Sequence, residues 1–266
     1  MSAGVSGEVG KTATAEAAPA VSEDRLLGGR LVLRQPREGY RVAIDPVLLA
    51  AAVPAAAGEQ ALDLGCGVGA AALCLARRVA GVTVDGLERE PLLVRLAREN
   101  AALNDLADRV RAFEGDVRRP PAELAPESYD HVLCNPPYLE RGRATPSPKA
   151  LRASANVEDE ATLGDWVTAA LRLARPGGSL TFIHRADRME ALLAALGDAA
   201  GESVVFPLWP KGRDATAKPA KRVIVRAWKG RTAGSTTAPG LVLHQADGRF
   251  TEEAEAVLRH AAALAF

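Results

Sequence analysis

From residue 60 onward, short apolar runs alternate with longer segments whose apolar positions recur at helical spacing. "ALDLG" precedes "AAALCLARRVA", "VTVDGLE" precedes "PLLVRLARENAALN", "VRAFEGD" and "YDHVLCN" follow, and "EATLGDWVTAALRLA" leads into "SLTFIH". Apolar strands separated by helices of ten or more residues predict a mostly parallel sheet covered on both faces, a doubly wound α/β core. Arg175-Pro176-Gly177-Gly178 is a helix stop that turns the chain into the fifth strand. "ESVVFPLWP", "KRVIVRAWK" and "GLVLHQ" read as closing strands, with an antiparallel strand among them, and "TEEAEAVLRHAAALAF" as a last helix capped by Thr251.

Upstream, "LLGGRLVLRQPREGYRV" alternates apolar and polar residues around Gly28-Gly29 and Gly39, which predicts a small N-terminal β-hairpin. "DPVLLAAAV" has Asp45 at an N-cap position and Pro46 at the first helical position, which predicts a short helix. The first residues are rich in Ala, Ser, Thr, Gly and Glu without a basic start or an apolar stretch, and read as a disordered leader. The expected organisation is a leader over 1–24, a hairpin and helix cap over 25–58, and the α/β domain over 59–266.

Composition narrows this picture. The 266 residues are 48% hydrophobic and 25% charged, enough chain for a substantial core. Lys plus Arg (33) equals Asp plus Glu (33), so attraction to nucleic acid or an anionic membrane must come from local patches. The longest apolar run, Val47 to Ala57, is broken by Pro54 and is too short to span a bilayer. Cys66, Cys74 and Cys134 are odd in number and at no metal-ligand spacing, which predicts a reducing, cytoplasmic compartment and no metal. The four histidines are scattered and receive no role.

Candidate chemistry sits at two strand ends. "LDLGCGVGAAALCLARR" places Gly65, Gly67 and Gly69 between a strand and a helix, where absent side chains let a ligand approach the amides of the helix N-terminus. Glu88 closes the second strand, where a carboxylate accepts hydrogen bonds from both hydroxyls of a ribose. Asp116, at the end of the third strand, is placed to reach an adenine or the far side of the same pocket, and is otherwise an ordinary turn aspartate. Gly65-x-Gly67-x-x-Ala70 also fits a dinucleotide fingerprint, so the turn alone leaves NAD and other nucleotide cofactors open. Asn135-Pro136-Pro137-Tyr138 ends the fourth strand, and in a doubly wound sheet it faces the glycine turn across the ligand crevice. The side-chain oxygen of Asn135 and the carbonyl of Pro136 suit the two N–H bonds of a planar amine, and Pro137 stiffens the corner. Tyr138 offers a ring on which an extruded base stacks, worth about 1–3 kcal/mol.

Asp63 and the three glycines, "D-x-G-x-G-x-G", resemble motif I of S-adenosylmethionine-dependent methyltransferases, and Asn-Pro-Pro-Tyr resembles motif IV of amino-methyltransferases. "GGRLVLRQPREGYRVAIDPVLLAAAVP", the loop "LERGRATPSPKALRASANVEDEATL" and the ending "LVLHQADGRFTEEAEAVLRHAAALAF" resemble the bacterial tRNA1(Val) (adenine-N6)-methyltransferase family, from about residue 25 to the end. The resemblance implies a Rossmann-like sheet and an N-methyltransferase that uses S-adenosyl-L-methionine on adenine N6 in tRNA. By the same resemblance Asp45, Asp63, Gly65, Gly67, Gly69, Glu88 and Asp116 line the cofactor pocket, and Asn135, Pro136, Pro137 and Tyr138 form the catalytic loop. A tRNA needs phosphate contacts, for which Arg141, Arg143, Lys149 and Arg152 are candidates, with Lys211, Arg213, Lys218, Lys221 and Arg222 as a second cluster. The Ala-rich leader and the Lys211–Arg222 loop depart from better-known members.

Four alternatives remain at this stage. Release-factor glutamine methyltransferases share the tetrapeptide but carry an N-terminal helical bundle, for which residues 1–45 show no pattern. An rRNA or DNA amino-methyltransferase is the second, although no separate target-recognition domain is evident. A non-catalytic cofactor-fold protein would not require Asp63, Glu88 and Asn135 together, and an NAD-dependent oxidoreductase leaves Asn-Pro-Pro-Tyr without a task.

Overall fold

The computed structural model describes residues 20–38, 41–137, 161–213 and 218–266. A hairpin opens it: β1 (Val21–Leu26) pairs antiparallel with β2 (Leu31–Pro36) through a turn at Leu27-Gly28-Gly29. β1 lies partly inside the expected leader of 1–24, which is a correction. Polar "VSEDRL" carries no strand period, yet Asp24 accepts hydrogen bonds from Gln35 (2.7 Å) and Arg41 (2.7 Å), and these cross-strand partners hold the segment in place.

Helix α1 (Asp45–Ala52) follows, then β3 (Gln60–Leu64), α2 (Ala70–Arg78), β4 (Thr83–Glu88), α3 (Pro91–Leu103), β5 (Val110–Glu114) and β6 (Tyr129–Cys134). After them come α4 (Leu163–Leu173), β7 (Ala174–Arg185), α5 (Met189–Leu196), β8 (Glu202–Lys211), β9 (Arg222–Trp228), β10 (Ser235–Thr237), β11 (Leu241–His244) and α6 (Glu252–His260). Among the described residues the main sheet has nine strands. Its parallel part runs β5-β4-β3-β6-β7, so sequence order reverses between β3 and β6. β9 then pairs antiparallel with both β7 and β8, and β10 and β11 lie parallel to β8 at the edge. The expected doubly wound sheet with an antiparallel closing strand is the architecture found.

The central parallel strands β3, β4 and β6 are buried on both faces, which is why they read as continuous apolar runs, whereas the edge strand β5 alternates. Leu62, Leu64, Leu133, Leu180 and Phe182 are fully enclosed, and the core divides into two large clusters. Thr251 caps α6 through the Ala254 N–H, as expected, and Thr162 caps α4 with a reciprocal bond to Asp165.

Two segments depart from the pattern. Arg175-Pro176-Gly177-Gly178 lies inside β7 as a bulge: Tyr129 pairs with Ala174 and His131 with Ser179, and Gly177 takes φ 74° to absorb the extra residues. Helix α5 receives no assignment from the sequence because eight residues show too little of the helical period, and packing of Leu192 and Leu196 fixes it instead.

Leu133, the penultimate residue of β6, has no exposed surface. Leu133→Ala is expected to lower unfolding free energy by about 2–5 kcal/mol, read from the denaturation midpoint at unchanged slope.

Candidate active site

The reversal of strand order brings two loops together. Leu64 on β3 pairs with Cys134 on β6 and with Leu87 on β4, so Gly65, Asn135 and Glu88 each begin the next step at neighbouring strand ends. A cleft of about 1600 Å³ opens there, outside the carboxyl ends of the strands, where open α/β sheets bind ligands. Asp63, Gly65, Gly67, Glu88 and Asp116 line it, and so do Asn135, Pro136 and Pro137. Tyr138, Arg141, Arg143, Lys149 and Arg152 lie outside the described residues.

The three glycines are required for different reasons. All have positive φ, 69° at Gly65, 55° at Gly67 and 84° at Gly69, a region that penalises side chains. A Cβ at Gly65 would stand 2.7 Å from the Trp166 ring, and one at Gly69 would press on Ala97 at 3.3 Å. At Gly67 a Cβ would meet nothing within 4 Å. That open side belongs to a residue lining the cleft, so a ligand can approach the backbone closely there.

The carboxylates are placed less simply than the sequence suggests. Glu88 Oε2 accepts from the Gly67 N–H (2.9 Å), and Oε1 accepts from the N–H groups of Arg89 (2.8 Å) and Glu90 (3.0 Å). These bonds occupy three of its roughly four acceptor positions, so the expectation that it serves two hydroxyls of a ribose narrows to one. Asp63 is enclosed and accepts from the Ala72 N–H at 3.2 Å, which ties β3 to the first turn of α2. Burial, reinforced by the nearby Glu88 charge, lifts its carboxyl to about 7.

Asp116 lines the cleft with both oxygens engaged by Arg118, whose side chain bonds at 2.6 and 2.9 Å and whose backbone N–H bonds at 2.7 Å. That pairing holds its carboxyl down at about 2. The turn-aspartate reading is therefore part of what it does. Asp45 does not cap α1: Ile44 is the N-cap residue, no side-chain cap bond forms, and Asp45 accepts from Arg222 Nε at 3.1 Å across to β9. The departure has a local cause, since Asp45 is already the first helical residue and Arg222 competes for it.

Several cleft residues carry no sequence signal. Trp166 of α4 lies against Gly65, and its indole Nε1 is enclosed without a hydrogen-bond partner. Gln35, Pro36 and Arg37 come from the hairpin and its end, Arg185 closes β7, and Asp187 follows it. Of the second basic cluster, Lys221 and Arg222 reach the cleft, while Lys211 donates to the Ala246 carbonyl at 3.2 Å. Burial pushes the Cys74 thiol up to about 12 and those of Cys66 and Cys134 well above the ordinary range, so none supplies a thiolate. Among the described residues no group of three or more His, Cys, Asp or Glu is arranged to hold a metal ion, and no helix is long and apolar enough to cross a membrane.

Comparison with known proteins agrees with this geometry. Residues 42–195 match the family model described as the methyltransferase small domain. A tRNA1(Val) (adenine(37)-N6)-methyltransferase of Yersinia enterocolitica is 30% identical over 86% of this chain and 90% of that protein. One of the same name from Porphyromonas gingivalis is 30% identical over 80% of this chain and 85% of its own length. The chain belongs to this methyltransferase family. A crystal structure from Agrobacterium tumefaciens, described as a predicted O-methyltransferase, superposes with a TM-score of 0.69 at 27% identity, covering 84% of this chain and 99% of that one. The methyltransferase thus keeps the Rossmann-like fold over nearly all of its described length.

Asp63 gives the methyltransferase a specific pH response. Its folded value, about 7, lies above the ordinary 3.8, so the native state holds the proton more tightly than the unfolded chain. The stability it contributes is complete below the unfolded value and is lost as pH rises through about 7. Asp63→Asn, which keeps an acceptor for the Ala72 N–H, is expected to flatten the fall in thermal midpoint from about pH 5 to about pH 8 relative to wild type.

Proposed function

We propose that this chain transfers a methyl group from S-adenosyl-L-methionine to adenine N6 of a tRNA. The observation that carries the reading is the register of β3 and β6, which sets Asn135 and Pro136 opposite the glycine turn within one cleft. The donor supplies an activated methyl on a sulfonium centre. The chain's residues do the rest. The bare face of the glycine turn at Gly67 holds the donor, and Glu88 takes one ribose hydroxyl. Asp63 fixes the turn to α2, and Asp116 with Arg118 closes the far side of the pocket. Asp45 is a positioning partner of Arg222 at the cleft wall.

Asn135 Oδ1 and the Pro136 carbonyl accept the two N–H bonds of the amine and favour a pyramidal, nucleophilic nitrogen without removing a proton first. An alcohol has one proton to offer and would leave one acceptor without a partner, which supports nitrogen over oxygen as the methyl acceptor. Tyr138 stacks on the base, and Arg141, Arg143, Lys149 and Arg152 contact phosphates, with Lys221 adding a cation on the cleft side. The named relatives supply the choice of tRNA. A cytoplasmic location belongs to the same reading and is supported by three free, buried cysteines.

Incubation with labelled S-adenosylmethionine against tRNA, rRNA, DNA and a release factor tests the substrate. Label is expected in tRNA, at N6-methyladenosine after digestion; label confined to protein would overturn the reading in favour of glutamine methylation. Asn135→Ala is expected to lower turnover by at least about a hundredfold while changing donor affinity less than about threefold. Equal losses of both would remove the separate acceptor role.

A further inference from the structure

Two side-chain amides, Asn100 on α3 and Asn104 at its C-cap, stand where a neighbouring strand of β2 would be. β2 pairs with β1 along one edge. Toward α3, the Val32 N–H donates to Asn104 Oδ1 at 2.8 Å and Asn104 Nδ2 donates to the Val32 carbonyl at 2.7 Å. Two residues on, the Arg34 N–H donates to Asn100 Oδ1 at 2.7 Å and Asn100 Nδ2 returns a bond to the Arg34 carbonyl at 2.9 Å. The spacing fits: two strand residues advance about 6.6 Å and four helical residues about 6 Å. Both asparagines are buried while Val32 and Arg34 are half-buried, so the bonds are partly shielded from water.

The remaining N–H of each amide separates their roles. Asn104 donates to the Asn100 carbonyl within its own helix (2.7 Å). Asn100 donates to the Val68 carbonyl (2.9 Å), inside the glycine turn. At the other end of the same planar peptide, the Gly69 N–H donates to the Cys66 carbonyl at 2.8 Å. The Val68–Gly69 peptide plane is therefore pinned at both ends, one of them by Asn100. Downstream of Arg34, Gln35 and Pro36 continue as cleft wall, and Gln35 Oε1 accepts from the Val42 N–H at 2.9 Å.

We infer that Asn100 is a positioning residue of the donor pocket, which couples docking of the N-terminal hairpin to the shape of the glycine turn. The inference rests on the reading of that turn as the donor site. The coupling is reciprocal: occupancy of the turn stabilises the hairpin, and a docked hairpin tightens the turn on its ligand. Asn104 makes the matching control, because it holds the same strand and does not touch the turn.

The test uses full-length wild type, Asn100→Ala and Asn104→Ala, with S-adenosylhomocysteine as the probe. Calorimetry reads its Kd, and hydrogen exchange reads the amides of residues 31–35 with and without it. Exchange in β2 is expected to quicken in both variants, while Kd rises about tenfold in Asn100→Ala and less than about twofold in Asn104→Ala. The probe is expected to slow β2 exchange in wild type and to lose that effect in Asn100→Ala. Equal changes of Kd in the two variants, or a wild-type hairpin indifferent to bound probe, would overturn the inference and leave the donor site standing. Absence of binding to wild type would overturn the donor site and the inference with it. The wild-type exchange measurement decides the coupling even where a variant fails to fold.

Discussion

Everything in the cleft depends on one strained turn finding acceptors for its backbone N–H groups. Gly65 and Cys66 donate to the Leu87 carbonyl at 2.8 and 3.0 Å, Gly67 donates to Glu88, and Gly69 closes onto the Cys66 carbonyl. Three positive φ values within five residues carry conformational cost for any other residue type, and these bonds offset it. Because the Leu87 and Glu88 acceptors lie on β4, the turn keeps its shape only while β3 and β4 stay paired in the observed register. The same register sets Glu88 at the wall, so fold and pocket are one constraint rather than two.

The N-terminal hairpin belongs to this constraint, although in sequence it resembles an appendage. Its strand β2 is tied to α3, its end lines the cleft, and α1 behind it contributes Pro46 and Leu49 to the lining. Helix α1 is held at its C-terminus by arginines: Arg78 donates to the Ala50 carbonyl at 3.0 Å, and Arg226 donates to the Ala52 carbonyl. Burial draws the Arg226 guanidinium down to about 10, and its face lies 3.6 Å over the Phe266 ring. Cations at a helix C-terminus meet the negative end of its dipole, which compensates part of their desolvation. The last residues join the same assembly, with the Leu264 N–H on the Ala51 carbonyl and the His260 carbonyl accepting from Arg30. Segments from both ends of the described chain thus brace the helix that walls the cleft.

The parts of the structure legible in the sequence are those whose physics is local. Apolar runs at strand length, glycines where φ must be positive, and a capping threonine each announce themselves, and the sheet order follows from them by the rules of right-handed crossovers. The less legible parts are pairings across long separations. Nothing in "EGDVRR" says that Asp116 spends both oxygens on Arg118, and nothing in "AIDPVL" says that Asp45 will choose Arg222 over its own helix. Trp166 reads as an ordinary apolar helix position, yet it forms the surface that forbids a side chain at Gly65. Asn100 and Asn104 look like polar residues one turn apart on a solvated face, and only the docked hairpin gives them a function.

Charge in the cleft differs with depth: two enclosed carboxylates lie below exposed groups of both signs. Asp63 and Glu88 lie beneath the turn, enclosed, while Arg37, Arg89, Arg185 and Lys221 line the same cleft as exposed cations beside the exposed acids Glu38, Glu90 and Asp187, with Arg89 paired to Glu90 and Arg185 to Asp187. A cationic donor is favoured near the enclosed carboxylates, whereas the outer level, with both signs present, exerts a weaker net field. The state of Asp63 makes the deeper level responsive: with its carboxyl lifted to about 7, it is partly protonated at neutral pH, and a nearby positive charge favours release of that proton. The balance of 33 acids and 33 bases is therefore an average over opposing local fields. Those fields, rather than the net charge, determine what the cleft attracts.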